Sequence, residues 1–102
     1  MRNLQLVDYE AIHFIQADGD YSRVHTYDRS YLCTRSLRAL EEALPADRFV
    51  RIHRSYLVNL DKVAAVRRAG SDRIRLALDD AEHTELDVAR RQSKAVRDRL
   101  RI

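Results

Sequence analysis

Ala11 to Ala17 sets Ile12, Phe14, Ile15 and Ala17 in one short run, rich in Ile and Phe. The composition predicts a buried strand. Asp18-Gly19-Asp20 follows, and Asp-Gly favours the positive-φ geometry of a tight hairpin. Tyr21 to Tyr27 then alternates, with Ser22, Val24 and Thr26 against Tyr21, Arg23, His25 and Tyr27. The alternation predicts a strand without saying which side is buried. Past a turn at Asp28-Arg29, Ser30 to Thr34 reads as another short strand.

Ser36 to Leu44 changes period. Leu37, Leu40 and Leu44 fall at i, i+3 and i+7, one apolar stripe of a helix with Ser36 at its N-cap and Pro45 stopping it. Phe49 to Asn59 is strand, polar corner and strand: Phe49–Ile52 and Tyr56–Val58 flank His53, Arg54 and Ser55. Residues 62–67 predict a weaker strand. Gly70 turns the chain into 72–78, where Ile74, Leu76 and Leu78 share one side and Arg73 and Arg75 the other. Asp79-Asp80 turns it back into His83–Val88, and Gln92–Leu100 closes as a short helix with Val96 and Leu100 paired. Many short strands and few helices indicate a mostly-β domain. Patterning leaves sandwich and open barrel undecided.

A length of 102 residues allows one core and one domain. With 34% charged and 45% hydrophobic residues the chain is not of disordered composition, and no apolar run nears the ~20 residues of a membrane span. The single cysteine, Cys33, has no internal partner, which fits a reducing compartment. Net charge is +3, unevenly spread: residues 1–53 hold 7 basic and 8 acidic side chains, residues 54–102 hold 12 and 8. Arg90 to Arg101 carries Arg90, Arg91, Lys94, Arg97, Arg99 and Arg101 against Asp98 alone. That concentration points to a polyanion, or else to a solvated helix face.

Catalytic and metal chemistry find little footing. His13, His25, His53 and His83 lack the spacing of a zinc site, and His25 with Cys33 makes two ligands at most. Ser55 and His53 share one side of a strand, but no nucleophile elbow or oxyanion motif accompanies them. Asp18-Gly19-Asp20 is too short for an EF-hand loop. No catalytic residue, metal or cofactor is expected. Arg54, by contrast, offers five N–H donors in a planar fork suited to phosphate or a guanine edge, set between two segments that predict rigid support.

Phe49, Arg51, His53, Ser55, Val58 and Asn59 stand in the pattern F-x-R-x-H-x-S-x-x-V-N. In this the chain resembles the LytTR family, bacterial DNA-binding output domains. The Ile12–Ile15 strand, Tyr21, the Ser36–Pro45 helix and the Arg90-Arg91 pair support the resemblance, which covers residues 4–100. It implies an elongated antiparallel domain of several small β-sheets with one short central helix and a short C-terminal helix. It implies sequence-specific binding of double-stranded DNA in the bacterial cytoplasm, two loops entering successive major grooves and a middle one the minor groove between. Carried over position by position, Ser22, Arg54 and Arg91 read bases, while Tyr21, Arg23, Ser55, Arg90 and Gln92 reach phosphate. Family members usually bind paired direct repeats and often follow an N-terminal receiver domain, so the chain reads as part of a longer regulator, with a second copy of itself as a partner on DNA.

Ala89 departs from the family, which usually has Ser there, so a capping or phosphate-binding hydroxyl is missing. Residue types alone also leave Arg54 a carboxylate partner in Asp61, and give His53 a structural place beneath the corner. Asn59 is expected to bond backbone in the turn with Leu60-Asp61. The alternative function is a protein-interaction module of the same fold, using Arg73 and Arg75 on an exposed face.

Overall fold

The computed structural model describes residues 7–102; the expected start of the family resemblance at 4–6 lies outside the described residues. The elements are β1 (Phe14–Asp18), β2 (Tyr21–His25), β3 (Ser30–Cys33), α1 (Leu37–Ala43), β4 (Phe49–His53), β5 (Tyr56–Asn59), β6 (Val63–Arg68), β7 (Ile74–Leu78), β8 (Glu85–Asp87) and α2 (Arg90–Leu100). Tyr9–Ala11 and Leu60–Lys62 are single 3-10 turns. Five strands form one antiparallel sheet in the order β3-β2-β1-β5-β4, and three form a second, β6-β7-β8. The mostly-β, multi-sheet expectation holds. With principal extents of 50 × 25 × 23 Å the molecule is twice as long as it is wide.

The larger sheet is buried on both faces. Phe14, Val50, Ile52 and Val58 face the second sheet and α2, meeting Ile74, Leu76, Leu78, Leu86, Val88 and Val96. Ile15, Val24, Phe49 and Leu57 face α1, meeting Ile12, Leu37 and Leu40. Two-sided burial accounts for Phe14 and Ile15 both being apolar and buried, where one solvated face would have left an alternation. α1 forms as expected: Ser36 Oγ accepts the Ala39 N–H at 3.1 Å, and Leu37 and Leu40 are buried.

Asn59 behaves as its sequence position foretells. Its Oδ1 accepts the Asp61 N–H at 3.0 Å, and its Nδ2 donates to the Ile12 carbonyl at 2.9 Å. Several boundaries differ from expectation: β1 begins at Phe14 rather than Ala11, since Tyr9–Ala11 is a 3-10 turn, β2 ends at His25 and β7 begins at Ile74. β8 begins at Glu85 because the Asp80 carboxylate accepts from the Thr84 N–H (2.8 Å) and hydroxyl, drawing 81–84 into a turn with His83 at φ 52°. α2 begins at Arg90, two residues early, because the Ala89 N–H is held by the Ile52 carbonyl at 2.8 Å and fixes the helix entry on β4.

Candidate nucleic-acid interface

One end of the larger sheet gathers three turns. β1 and β2 meet through Gly19, at φ 62°, with Asp18 opposite Tyr21. β4 and β5 meet through Arg54-Ser55, and the Ala17 N–H donates to the Ser55 carbonyl at 2.9 Å, so the two turns are neighbours. The Ala89–Ile52 bond adds the first turn of α2 beyond β4. Strands spaced ~4.8 Å apart set β2 about 14 Å from β4 along this edge.

The Arg54 corner is tightly built. Arg51 Nε donates to the His53 carbonyl at 2.9 Å, its Nη2 to the Arg54 carbonyl at 2.8 Å and its Nη1 to Glu41 Oε1 at 2.7 Å. His53 Nδ1 accepts the Ser55 N–H at 3.0 Å and its ring lies 5.4 Å from that of Tyr56. The β-bulge between Arg51 and His53 makes room for these bonds. His53 is thus a structural residue under the turn. Arg51 and Glu41 went unassigned in the sequence reading. The available signal was an arginine inside the F-x-R-x-H pattern, two residues before a turn whose carbonyls lack strand partners.

With its backbone pinned, Arg54 projects from an exposed turn. Asp61 pairs instead with Arg48, at 3.8 Å, and Arg48 also bonds Glu10 at 3.1 Å, which raises its pKa. A groove of about 560 Å³ runs between the corner and α2, lined by Glu41, Arg51, His53, Arg54, Ala89, Arg91 and Gln92. The structure therefore brings Arg54, Arg91 and Gln92 to one opening, while Ser55 and Arg90 lie next to it in the chain and outside its lining. Among the described residues, Arg54, Arg90 and Arg91 have no carboxylate within 4.0 Å. Glu41, the one carboxylate in the lining, is held by Arg51 at 2.7 Å, so the remaining arginines set up a positive field favourable to an anion. Tyr21, 48% exposed, and Arg23, 3.7 Å from Asp18, stand apart on the other side of the sheet edge.

Ser22 requires a correction. Its side chain is 0% exposed and its hydroxyl donates to the Arg35 carbonyl at 2.8 Å. The Ser22 and Val24 side of β2 is the inward one, so Ser22 holds the β3–α1 connection and presents no group to a ligand. Arg75, named with Arg73 for the alternative role, is 43% exposed and paired. It bonds Asp87 at 2.7 Å, which raises its pKa, and lies 3.9 Å from Glu85. The Ala89 expectation is met in structure: α2 has no side-chain cap bond at its N-terminus.

The model of the LytTr DNA-binding domain matches residues 2–101. The chain belongs to the LytTR family. The CO-responsive transcriptional regulator RcoM of Rhodospirillum rubrum is 37% identical over 98 residues, 96% of this chain and 41% of that protein. The positive alginate biosynthesis regulatory protein of Pseudomonas aeruginosa is 30% identical over 94% of this chain and 38% of its own length. The sensory transduction protein LytT of Bacillus subtilis is 26% identical over 98% of this chain and 41% of its own length. The chain thus spans about two-fifths of these relatives. The solved LytTr DNA-binding domain of a Bacillus cereus response regulator superposes with a TM-score of 0.86 at 23% identity, covering 94% of this chain and 86% of that one, which shows the fold. LytTR membership sets the chain among DNA-binding domains of transcriptional regulators and points to a non-enzymatic role. No helix among the described residues is long and apolar enough to cross a membrane.

Proposed function

We propose that this LytTR domain is the sequence-reading output module of a bacterial transcriptional regulator. Arg54 and Arg91 read base edges in double-stranded DNA, and Tyr21, Arg23, Ser55, Arg90 and Gln92 hold the phosphate backbone. The observation that carries this reading is the groove shared by Arg54 and Arg91, two guanidinium groups without carboxylate partners, one on a pinned turn and one on a helix start. In a major groove the Arg91 fork donates to guanine O6 and N7 together, at the middle loop Arg54 meets the minor-groove acceptors, and backbone contacts fix the register of both. The Tyr21–Arg23 turn, on the far side of Arg54 from Arg91, meets the backbone bordering the neighbouring major groove.

Two copies bind as a pair on direct repeats, and an N-terminal sensory or receiver domain governs them in a longer chain, consistent with relatives more than twice as long as the segment they share. Selection from a pool of random-core duplexes tests the reading. The domain should enrich a defined core, and Arg54→Ala with Arg91→Ala should abolish the enrichment. An unchanged enriched core in the double variant would remove both arginines from base reading.

A further inference from the structure

A second basic groove lies at the other end of α2. The helix runs antiparallel along β4, from the Ala89–Ile52 bond to Arg99, whose Nη2 donates to the Ala46 carbonyl at 2.7 Å. Its 11 residues separate its ends by ~16 Å. At the far end Arg101 adopts the left-handed conformation, φ 61°, and the Ile102 N–H donates to the Arg97 carbonyl at 3.0 Å. This closure turns Ile102 back against the helix, as in a Schellman motif. The β6–β7 turn faces it, with Arg68 opposite Ile74 at the last rung of the hairpin. Between them lies a groove of about 300 Å³ whose lining includes Val66, Arg68, Arg73, Ile74, Arg97 and Ile102.

Two properties of this groove stand together. Its floor and lips are apolar, with Val66 36% and Ile102 62% exposed. Three of its four arginines are uncompensated. On the same sheet Arg67 pairs with Glu85 at 3.3 Å and Arg75 with Asp87 at 2.7 Å, and on α2 Asp98 is taken by Lys94 at 3.1 Å. Arg68, Arg73 and Arg97 have no carboxylate within 4.0 Å among the described residues. Solvated faces elsewhere on the sheet balance their charges; this one does not.

We propose that this groove docks an acidic segment of a protein partner through an apolar anchor side chain. The anchor sits against Val66, Ile74 and Ile102, and flanking carboxylates take the forks of Arg68, Arg73 and Arg97. Arginine rims around a desolvated apolar centre are the usual make-up of such contacts, and arginine binds carboxylates bidentately. Ligand pockets run ~300–1,000 Å³, so this groove suits side-chain anchors better than a whole cofactor. Nucleic acid is the less favoured occupant, since a phosphate backbone makes no use of Val66 or Ile102. The docking surface is independent of base reading and leaves the Arg54 edge free, so one domain can hold DNA and a protein at once.

Amide chemical-shift mapping on the 102-residue domain tests the proposal, with a synthetic amphipathic peptide of roughly 14 residues, about four turns, bearing Leu on one face and Glu on the other. Shifts should be confined to 66–74 and 97–102. Arg68→Glu with Arg73→Glu should weaken binding at least about tenfold, ~1.4 kcal/mol, with the remaining amide spectrum unchanged. Arg73→Gln alone, a milder change, should weaken it in the same direction and covers disturbance of the hairpin by the double reversal. Absence of binding, shifts at the Arg54 and Arg91 edge, or equal binding by a peptide with Ser in place of Leu would each overturn the proposal. So would a loss of duplex binding in Arg68→Glu, Arg73→Glu, which would make the groove a backbone contact.

Discussion

At Arg51 one guanidinium bonds two carbonyls of the turn that carries Arg54 and one carboxylate of α1. Lysine has the charge but not the planar fork, and can satisfy only part of this set. Arg51→Lys should therefore lower unfolding stability by about 2 kcal/mol, the scale of one lost charge-assisted bond, and weaken DNA binding without removing any DNA-facing group. Urea unfolding and anisotropy on the same preparations check both; a variant as stable and as tight as the parent would show the clamp to be dispensable. Ser22 makes the converse case. Ser22→Ala should cost about 1 kcal/mol through loss of the Arg35 bond and leave duplex affinity unchanged. An affinity loss exceeding the stability loss would return Ser22 to the contact surface. A serine alternating with Val24 cannot be sorted inward or outward from sequence, because a small hydroxyl fits either environment once a carbonyl such as that of Arg35 is there to receive it. Such a partner, 13 residues on, is a tertiary fact. Arg54 was legible for the opposite reason: it lies in a polar corner between two apolar runs, where the short-range pattern already sets its exposure.

Among the elements, the hairpins and α1 could be read closely, since Asp18-Gly19, Ser36 and Pro45 are local signals with local causes. α2 was read two residues short. Its start has no cap residue at Ala89 and is set instead by β4 through the Ile52 carbonyl, a contact invisible along the chain. Ala89→Ser should supply the missing acceptor to the first-turn N–H groups and stabilise the domain by about 1 kcal/mol. In a protein of this size that raises Tm by roughly 4–8 °C. Calorimetry at a fixed pH would register it, and an unchanged or lowered Tm would mean that the Ile52 tie already satisfies the helix start. The same variant offers a hydroxyl beside Arg90 and Arg91, so duplex affinity should rise modestly with it.

Across the whole molecule, the division into two sheets was beyond the pattern of alternation, because a sheet covered on both faces erases the alternation that would have marked it. The join between the sheets carries a pH dependence. His25 stacks on Phe14, centroids 4.1 Å apart and planes within 4°, and its Nε2 lies 3.2 Å from Gln16 Oε1. Burial first, then Arg23, lowers its pKa below 6.5, while Asp80 and Glu82 from the β7–β8 loop pull the other way. Above pH 6.5 the ring is neutral folded and unfolded. Below it the unfolded chain takes the proton first, so the His25 contribution falls as pH drops from 6.5 towards the lower folded value. Unfolding midpoints followed from about pH 8 to about pH 5 should decline on acidification, and His25→Gln should flatten that part of the decline. An equal slope in the variant would assign the acid sensitivity to other groups.

The claim on which the functional account turns is that Arg54 and Arg91 read bases while their neighbours bind backbone. Fluorescence anisotropy on an enriched duplex and a scrambled one, across a salt series, with the domain and its Arg54→Ala, Arg91→Ala variant, tests it most directly. Binding should weaken steeply with salt, at a slope of about −4 to −5 in log K against log salt for a handful of phosphates. The variant should lose at least about 30-fold on the enriched duplex, as two base contacts of ~1–3 kcal/mol each require, and far less on the scrambled one. Equal losses on both duplexes would make the two arginines backbone contacts only, and salt-insensitive binding, or none at low salt, would contradict the DNA-reading account altogether.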